Sequence, residues 1–344
     1  MRTCTWAPTT FQGTQVVERR ATPVVIPKGP DLQERLGGIV AHYETLGLTD
    51  LLIAQRWWGN GEDIEDSSLD CLAMTAAFAM QTQSINLITA IHPGFFQPTA
   101  IAKWGATIAA LSGGRWSINV TSGWNMEEFD MYGIDKLDHD TRYTRSAEFI
   151  EVLRGAWHER GFSYRGNYYT ADNLHLDPAP DGQLEVFQGG QSDAAIAMGA
   201  KHSDYMFING GSLERVSAVA ERLRNACAET GREVKLAMYA APLCRSTDEE
   251  AWAEIKTRIE AIDPDLLQRR RNRLAEGAQG MWGDDDEVLS ALDTNEGYAA
   301  RLIGSPETIF ERIESFQKVG IEMLHLDVRD SLFNAEVLPL LRRL

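Results

Sequence analysis

Eight short apolar runs, each followed by a stretch of helical periodicity, recur along this chain, and that alternation admits few folds. The runs fall at 3–7, 50–54, 85–91, 116–121, 185–188, 205–208, 235–243 and 323–326. The helical stretches fall at 31–47, 67–81, 98–112, 139–158, 193–202, 212–230, 248–262 and 306–319. Strands separated by long crossovers lie parallel rather than as hairpins. Eight such units in 344 residues predict an α/β fold of the (β/α)8 TIM barrel class. A doubly wound open sheet competes with it, but no G-x-G-x-x-G opens a first strand-to-helix turn. Local signals mark several helix ends. Thr247-x-x-Glu250 is a capping box and Ser305-Pro306 a cap with proline at the first helical position, while Gly47, Gly113, Gly231 and Gly320 stand at helix stops.

Two segments break the alternation. Residues 9–30 are polar and proline-rich, and 263–300 carry the run Arg269-Arg270-Arg271-Asn272-Arg273 followed by GAQGMWGDDDE. The expectation is one domain over 1–344, with 263–300 inserted before the last strand unit as a lid.

The net charge of −17 disfavours nucleic acid and anionic membrane as partners. Four cysteines lie far apart with no C-x-x-C pair, and no apolar run reaches the roughly 18 residues of a membrane span. ATPVVIPKGP, after Arg19-Arg20, is too short and proline-broken for a signal peptide, so a cytoplasmic location is expected.

In a barrel the active site lies at the strand C-terminal ends. There, 116–121 reads WSINVT, with Asn119 inside an otherwise buried strand, and then SGWN and the carboxylates Glu127, Glu128 and Asp130. A buried amide left without partners costs about 1–3 kcal/mol, so the fold or a ligand must supply them. The second run ends in Gln55-Arg56-Trp57-Trp58 and the third in His92-Pro93-Gly94-Phe95-Phe96. The fifth ends in Gly189-Gly190-Gln191-Ser192-Asp193 and runs straight into a helix. That turn is either a phosphate seat at free helical N–H groups or an ordinary capped turn. Arg142-Tyr143, after the acidic stretch DKLDHDT, opens the long helix 139–158 and suits the same anion, unless the arginine is simply exposed. His92 is a candidate acid/base or a structural histidine. Trp57, Trp58, Phe95, Phe96 and Trp124 suggest an aromatic rim for a planar ligand, or core packing. No metal triad, G-x-S-x-G elbow or Walker loop is present, and His139-Asp140 lacks further ligands at useful spacing. An organic cofactor is therefore the expected carrier of any chemistry.

Five ordered blocks carry a resemblance over roughly residues 35–344: LSGGRWSINVTSGWNMEEFDMYGI, HDTRYTRSAEFIEVLRGAW, FSYRGNYYTADN, VFQGGQSDAAIAMGAKHSDYMFING and RLIGSPETIFERIESFQKVGI. They resemble the luciferase-like two-component flavin monooxygenases, most of all the dimethylsulfone monooxygenases, then the pyrimidine oxygenases and alkanesulfonate monooxygenases. The resemblance implies a barrel that takes reduced FMN from a separate NAD(P)H-dependent flavin reductase and reacts it with O2. It implies flavin contacts at Gln55, Arg56, Asn119, Glu128, Arg142, Tyr143 and Ser192, with Asn119 near the edge where O2 reacts and Ser192 on the phosphate. No metal ligand is implied, and a homodimer or homotetramer is.

The departures bear on substrate. Where pyrimidine oxygenases carry a threonine thought to help place O2, this chain has Ala90, though Thr89 is adjacent. Where alkanesulfonate enzymes bring an arginine and a histidine, it has Tyr239 and Ala241. A small neutral substrate is expected, by resemblance a sulfone first and a nitrogen heterocycle second, although the arginines of 269–273 offer charge from the lid. A deazaflavin-dependent dehydrogenase and a non-catalytic flavin binder remain as alternatives.

Overall fold

The computed structural model describes residues 1–11, 25–57, 68–277, 287–293 and 295–344, with the backbone alone at 269–270 and 273–277. Trp58 and the GAQGMWGDDDE stretch from residue 278 to 286 lie outside the described residues, as do the side chains of Arg269, Arg270 and Arg273.

Eight strands form the barrel: β1 (Arg2–Trp6), β2 (Asp50–Ile53), β3 (Asn86–Ile91), β4 (Trp116–Val120), β5 (Val186–Gly189), β6 (Tyr205–Ile208), β7 (Lys235–Ala240) and β8 (Ile321–Leu326). Each pairs in parallel with its sequence neighbours, and β8 closes on β1 with Arg2 opposite Met323 and Cys4 opposite His325. All eight expected strands and all eight expected helices form, with ends shifted by a few residues. Ser305 accepts from Thr308 N, Thr247 accepts from Glu250 N, and Gly47, Gly113, Gly231 and Gly320 take left-handed conformations at helix ends.

Successive side chains alternate between the barrel interior and the surrounding helices. The outward set is apolar. Leu87, Ile91, Trp116, Ile118 and Val120 pack against helical Phe149, Leu153 and Trp157. Fully burying one such side chain contributes about 1.5–3 kcal/mol. Trp116 needs Gly105 on the helix Pro98–Ser112, because a Cβ there would lie 2.3 Å from its ring.

The inward set is layered. At the N-terminal end Arg2 donates from Nε to Asp50 Oδ2 (3.0 Å) and from Nη1 to both Glu185 oxygens (3.0 and 2.9 Å), and Asn86 donates to Asp50 Oδ1 at 2.9 Å. Above this polar plug sits an apolar layer that includes Cys4, Leu52, Ile88, Phe187 and Met323. The next inward positions are Trp6, Ala90, Asn119, Phe207, Tyr239 and His325, which border open space.

Two expectations need correction, and one element was not anticipated. The run 235–243 is not one strand: β7 stops at Ala240, and Leu243–Cys244 pairs separately with Ile303–Gly304. Residues 162–174 form an antiparallel hairpin, Phe162–Arg165 with Thr170–Leu174, that helical and parallel-strand patterns do not anticipate. Thr89 is on the outward face, with Oγ1 2.8 Å from Thr75 Oγ1 and accepting from Trp116 Nε1 at 3.0 Å, so it cannot substitute for a residue at Ala90.

Within 263–300 the described part comprises the helices Pro264–Gly277 and Glu287–Ser290 and the 3-10 turn Gly297–Ala300. Leu289, Leu292 and Tyr298 are buried with Leu243, Ala251 and Ile255. Among the described residues no helix is long and apolar enough to cross a membrane.

Candidate active site

At the C-terminal ends of the strands the barrel opens into a cavity of ≈ 360 Å³ lined by residues from all eight strand ends. Gln55, Arg56, His92 and Asn119 line it, joined by Trp124, Gly189 and Gly190. The amide of Asn119 is 6 % exposed, and its Oδ1 has no hydrogen-bond partner. The fold therefore does not supply the partner that a buried amide oxygen requires.

Beside it Gln55 bridges two strands. Its Oε1 accepts from His92 N at 2.8 Å and its Nε2 reaches Glu128 Oε1 at 3.5 Å. Glu128 itself is fully buried and is not among the cavity-lining residues. Its Oε1 accepts from Trp57 N at 2.9 Å, and its Oε2 lies 2.8 Å from His92 Nδ1. Burial alone would raise this carboxyl, but His92 and the donors from Trp57 and Gln55 outweigh burial and hold it below the ordinary range. His92 is thus both a structural partner of Glu128 and a cavity residue.

SGWN, the continuation of β4, turns through Gly123 (φ 85), where a Cβ would lie 2.6 Å from the Phe129 ring. Asn125 then caps the helix Met126–Met131, accepting from Glu127 N at 3.1 Å.

The turn after β5 is built for close approach. Gly190 has φ 134, and a Cβ there would lie 2.7 Å from the Tyr143 hydroxyl and 2.9 Å from Ala195 Cβ. Ser192 caps the helix Asp193–His202, its Oγ accepting from Ala195 N at 3.2 Å. Gln188 ties that helix to β5, donating to Ala195 O at 2.6 Å and accepting from Ser203 Oγ at 3.0 Å. Tyr143 therefore meets this turn, and burial raises its hydroxyl pKa despite the opposing influence of Ser192. Arg142, one residue away and 5 % exposed, donates to Leu137 O at 3.1 Å. Arg142, Tyr143 and Ser192 do not line the cavity itself; Gly189, Gly190 and Gln191 do.

The expected aromatic rim divides. Trp124 lines the cavity, but Trp57, Phe95 and Phe96 do not. They pack on one another, with Trp57 5.7 Å from both phenylalanine rings and Phe95 5.0 Å from Phe129. The rest of the cavity's aromatic surface comes from Trp6, Tyr43, Phe207 and Tyr239, together with His325, all in its lining. Sequence reading singled out Tyr239 alone of this group. The signal for the four strand residues was the two-residue alternation in β1, β6, β7 and β8, which puts them on the same face as Cys4, Tyr205, Ala237 and Met323. Among the described residues no cluster of three or more His, Cys, Asp or Glu is arranged to hold a metal ion.

The family model of luciferase-like monooxygenases matches residues 1–323. The FMNH2-dependent dimethylsulfone monooxygenase of Pseudomonas fluorescens (strain Pf0-1) is 36% identical over 297 residues, covering 83% of this chain and 80% of that protein. A pyrimidine monooxygenase of Enterobacter sp. (strain 638) is 28% identical over 295 residues, with 83% and 80% covered. In fold, the structure is similar to that of a riboflavin lyase, at a TM-score of 0.79 and 18% identity, over 100% of this chain and 91% of the other. With a closed barrel, a cavity at its strand ends and a family model matched over most of its length, this chain belongs to the luciferase-like monooxygenases.

Proposed function

We propose that this protein is a reduced-FMN-dependent monooxygenase that uses O2 to oxidise a small, uncharged organic molecule. The observation that carries this reading is the unpartnered Oδ1 of Asn119 at a cavity whose wall, on the neighbouring strand, continues into Gly189, Gly190 and Gln191. A flavin ring, with its N–H edge and its phosphate tail, fits both features. The amide oxygen lacks a donor, and the turn presents the first free N–H groups of a ten-residue helix with no Cβ at Gly190. Relatives named as FMNH2-dependent support the same cofactor.

In this reading Ser192, Tyr143 and Arg142 hold the phosphate end, while Gln55, Arg56 and Asn119 hold the ring. Glu128 acts from behind, fixing Gln55 and His92. Reduced flavin, when bound, supplies the electrons and the centre at which O2 is activated. The chain orients the ring by hydrogen bonds and surrounds the reacting region with apolar walls that limit water. Residues 1–344 act as one domain, with 263–300 as a lid; among the described residues of that segment Asn295 borders the cavity. A separate NAD(P)H-dependent flavin reductase supplies reduced FMN transiently, and the protein works in the cytoplasm as a homodimer or homotetramer.

Tyr239, a cavity residue, and Ala241 stand where the alkanesulfonate enzymes bring an arginine and a histidine, which favours a neutral substrate. Dimethyl sulfone is the first candidate, by similarity to the 36% identical relative, and a pyrimidine-like heterocycle the second. Anaerobic titration with reduced FMN, followed by mixing with oxygenated buffer in a stopped-flow spectrometer, tests the reading. Saturable binding and substrate-dependent O2 use support it. Absence of binding, with binding of a reduced deazaflavin instead, overturns it.

A further inference from the structure

His325 occupies the last inward position of β8, four strands round the barrel from Asn119. It is 2 % exposed and lines the cavity, and its Nε2 has no hydrogen-bond partner. Its neighbours are rings: Trp6 at 4.3 Å and 61°, Tyr239 at 5.1 Å and 74°, and Phe207 at 5.6 Å and 61°. A leucine or phenylalanine would fill such a box without leaving a polar group unpaired, a cost of about 1–3 kcal/mol. Burial lowers the imidazole pKa to about 3, so the ring is neutral and presents one N–H donor and one acceptor. The two charged residues just beyond β8 are paired with each other, Arg329 Nε lying 2.8 Å from Asp327 Oδ1 and Oδ2. Of the two arginines in the lining, Arg56 falls among the proposed flavin contacts and Arg329 is already paired with Asp327, so an anion seated among these rings would lose its hydration for little counter-charge.

Resting on the monooxygenase reading, we propose that His325 determines substrate specificity. Its imidazole donates a hydrogen bond to a sulfonyl or carbonyl oxygen of a compact, uncharged substrate, whose apolar remainder packs among Trp6, Phe207 and Tyr239. The opposite side of the cavity, at Asn119 and the Gly190–Ser192 turn, holds the flavin. His325 therefore acts on substrate and not on cofactor.

The test compares the full-length protein with His325→Leu and His325→Gln. Reduced-FMN affinity is measured by anaerobic fluorescence titration. Steady-state oxidation is measured with a flavin reductase, using dimethyl sulfone, uracil and methanesulfonate as probes. The expected result is reduced-FMN affinity within about twofold of wild type for both variants. KM for the neutral probe that wild type oxidises rises about tenfold in His325→Leu, with partial recovery in His325→Gln, as loss of one buried hydrogen bond dictates. Methanesulfonate is not oxidised by wild type. An unchanged KM with unchanged FMN affinity makes His325 a packing residue and overturns the proposal. Weakened FMN affinity assigns it to the cofactor and also overturns it. If wild type oxidises methanesulfonate in preference to the neutral probes, or binds reduced FMN and oxidises none of the three, the substrate class is wrong while the flavin reading stands. Failure of wild type to bind reduced FMN overturns the parent reading instead. If His325→Leu does not fold, His325→Gln and the wild-type probe preference still decide.

Discussion

His92 Nδ1 and Glu128 Oε2 lie 2.8 Å apart, which puts a cavity residue under the control of a carboxylate that the cavity does not touch. The contact places a ring hydrogen on Nδ1, which donates to the ionised carboxylate and fixes the orientation of the ring. Because the same carboxylate also takes Trp57 N at 2.9 Å and approaches Gln55, one buried charge organises the ends of both β2 and β3.

That arrangement gives a pH signature. The carboxyl of Glu128 is held below its ordinary value of 4.5 in the folded chain. A lowered carboxyl contributes stability that is present above the unfolded value and is lost as pH falls through the folded one. Glu128→Gln should therefore lower unfolding stability at pH 7 by about 1–3 kcal/mol. Its deficit against wild type should shrink progressively as pH falls below 4.5. Denaturant melts in both pH ranges check both statements, and an equal deficit in each would mean that the charge is not the stabilising element.

His325 is shifted in the same direction, but its window lies at higher pH. Its folded value of about 3 lies under the ordinary 6.5, so between these limits the unfolded chain binds a proton that the folded chain refuses. Stability then falls as pH drops from about 6.5 towards 3, and is unaffected by this group above pH of about 7. In cofactor-free protein, Tm of wild type should fall relative to His325→Leu on going from pH 7 to pH 5, while their difference stays constant from pH 7 to pH 8. Parallel Tm curves across the whole range would show that the imidazole is not kept neutral by the fold.

Asn119→Ala removes an amide whose oxygen has no partner in the protein, so its stability cost should be small. Substrate oxygenation should drop on the order of tenfold or more, with a smaller loss in reduced-FMN affinity, since the lost hydrogen bond is made only to ligand. Product formed per O2 consumed is the readout. Wild-type coupling in this variant removes Asn119 from the reacting region.

The Gly190–Ser192 turn separates space from capping. Gly190→Ala adds a Cβ 2.7 Å from the Tyr143 hydroxyl in a left-handed backbone, and should weaken FMN binding by closing the cradle. Ser192→Ala should cost about 1 kcal/mol of stability through loss of the cap to Ala195 N, and should also weaken binding. Arg142→Ala should weaken FMN more than riboflavin, because only FMN carries the phosphate. Equal losses for the two ligands would place the arginine away from the phosphate.

The eight strands and eight main helices were legible because their signals are local: an apolar run, a cap such as Ser305, a left-handed glycine such as Gly113. The hairpin Phe162–Leu174 was not, although FSYRGNYYTADN alternates around a Gly166-Asn167 turn, because neither strand joins the barrel whose pattern organised the reading. Among the site residues, Gln55, Arg56 and Asn119 were found as polar residues at strand ends, and all three line the cavity. Trp57, Phe95 and Phe96 carried the same signal and pack on each other instead.

By itself the sequence determined which segments are strands and helices, and which strand ends carry polar chemistry. Only the closed barrel decided which of those residues share one cavity. Closure of β8 on β1 sets Cys4 opposite His325 and brings Trp6 against the imidazole, two residues more than 300 positions apart. The direction each side chain faces depends on a pleat of period two. A single position therefore decides that Ala90 faces the cavity while Thr89 faces the helices, and no local signal distinguishes the two.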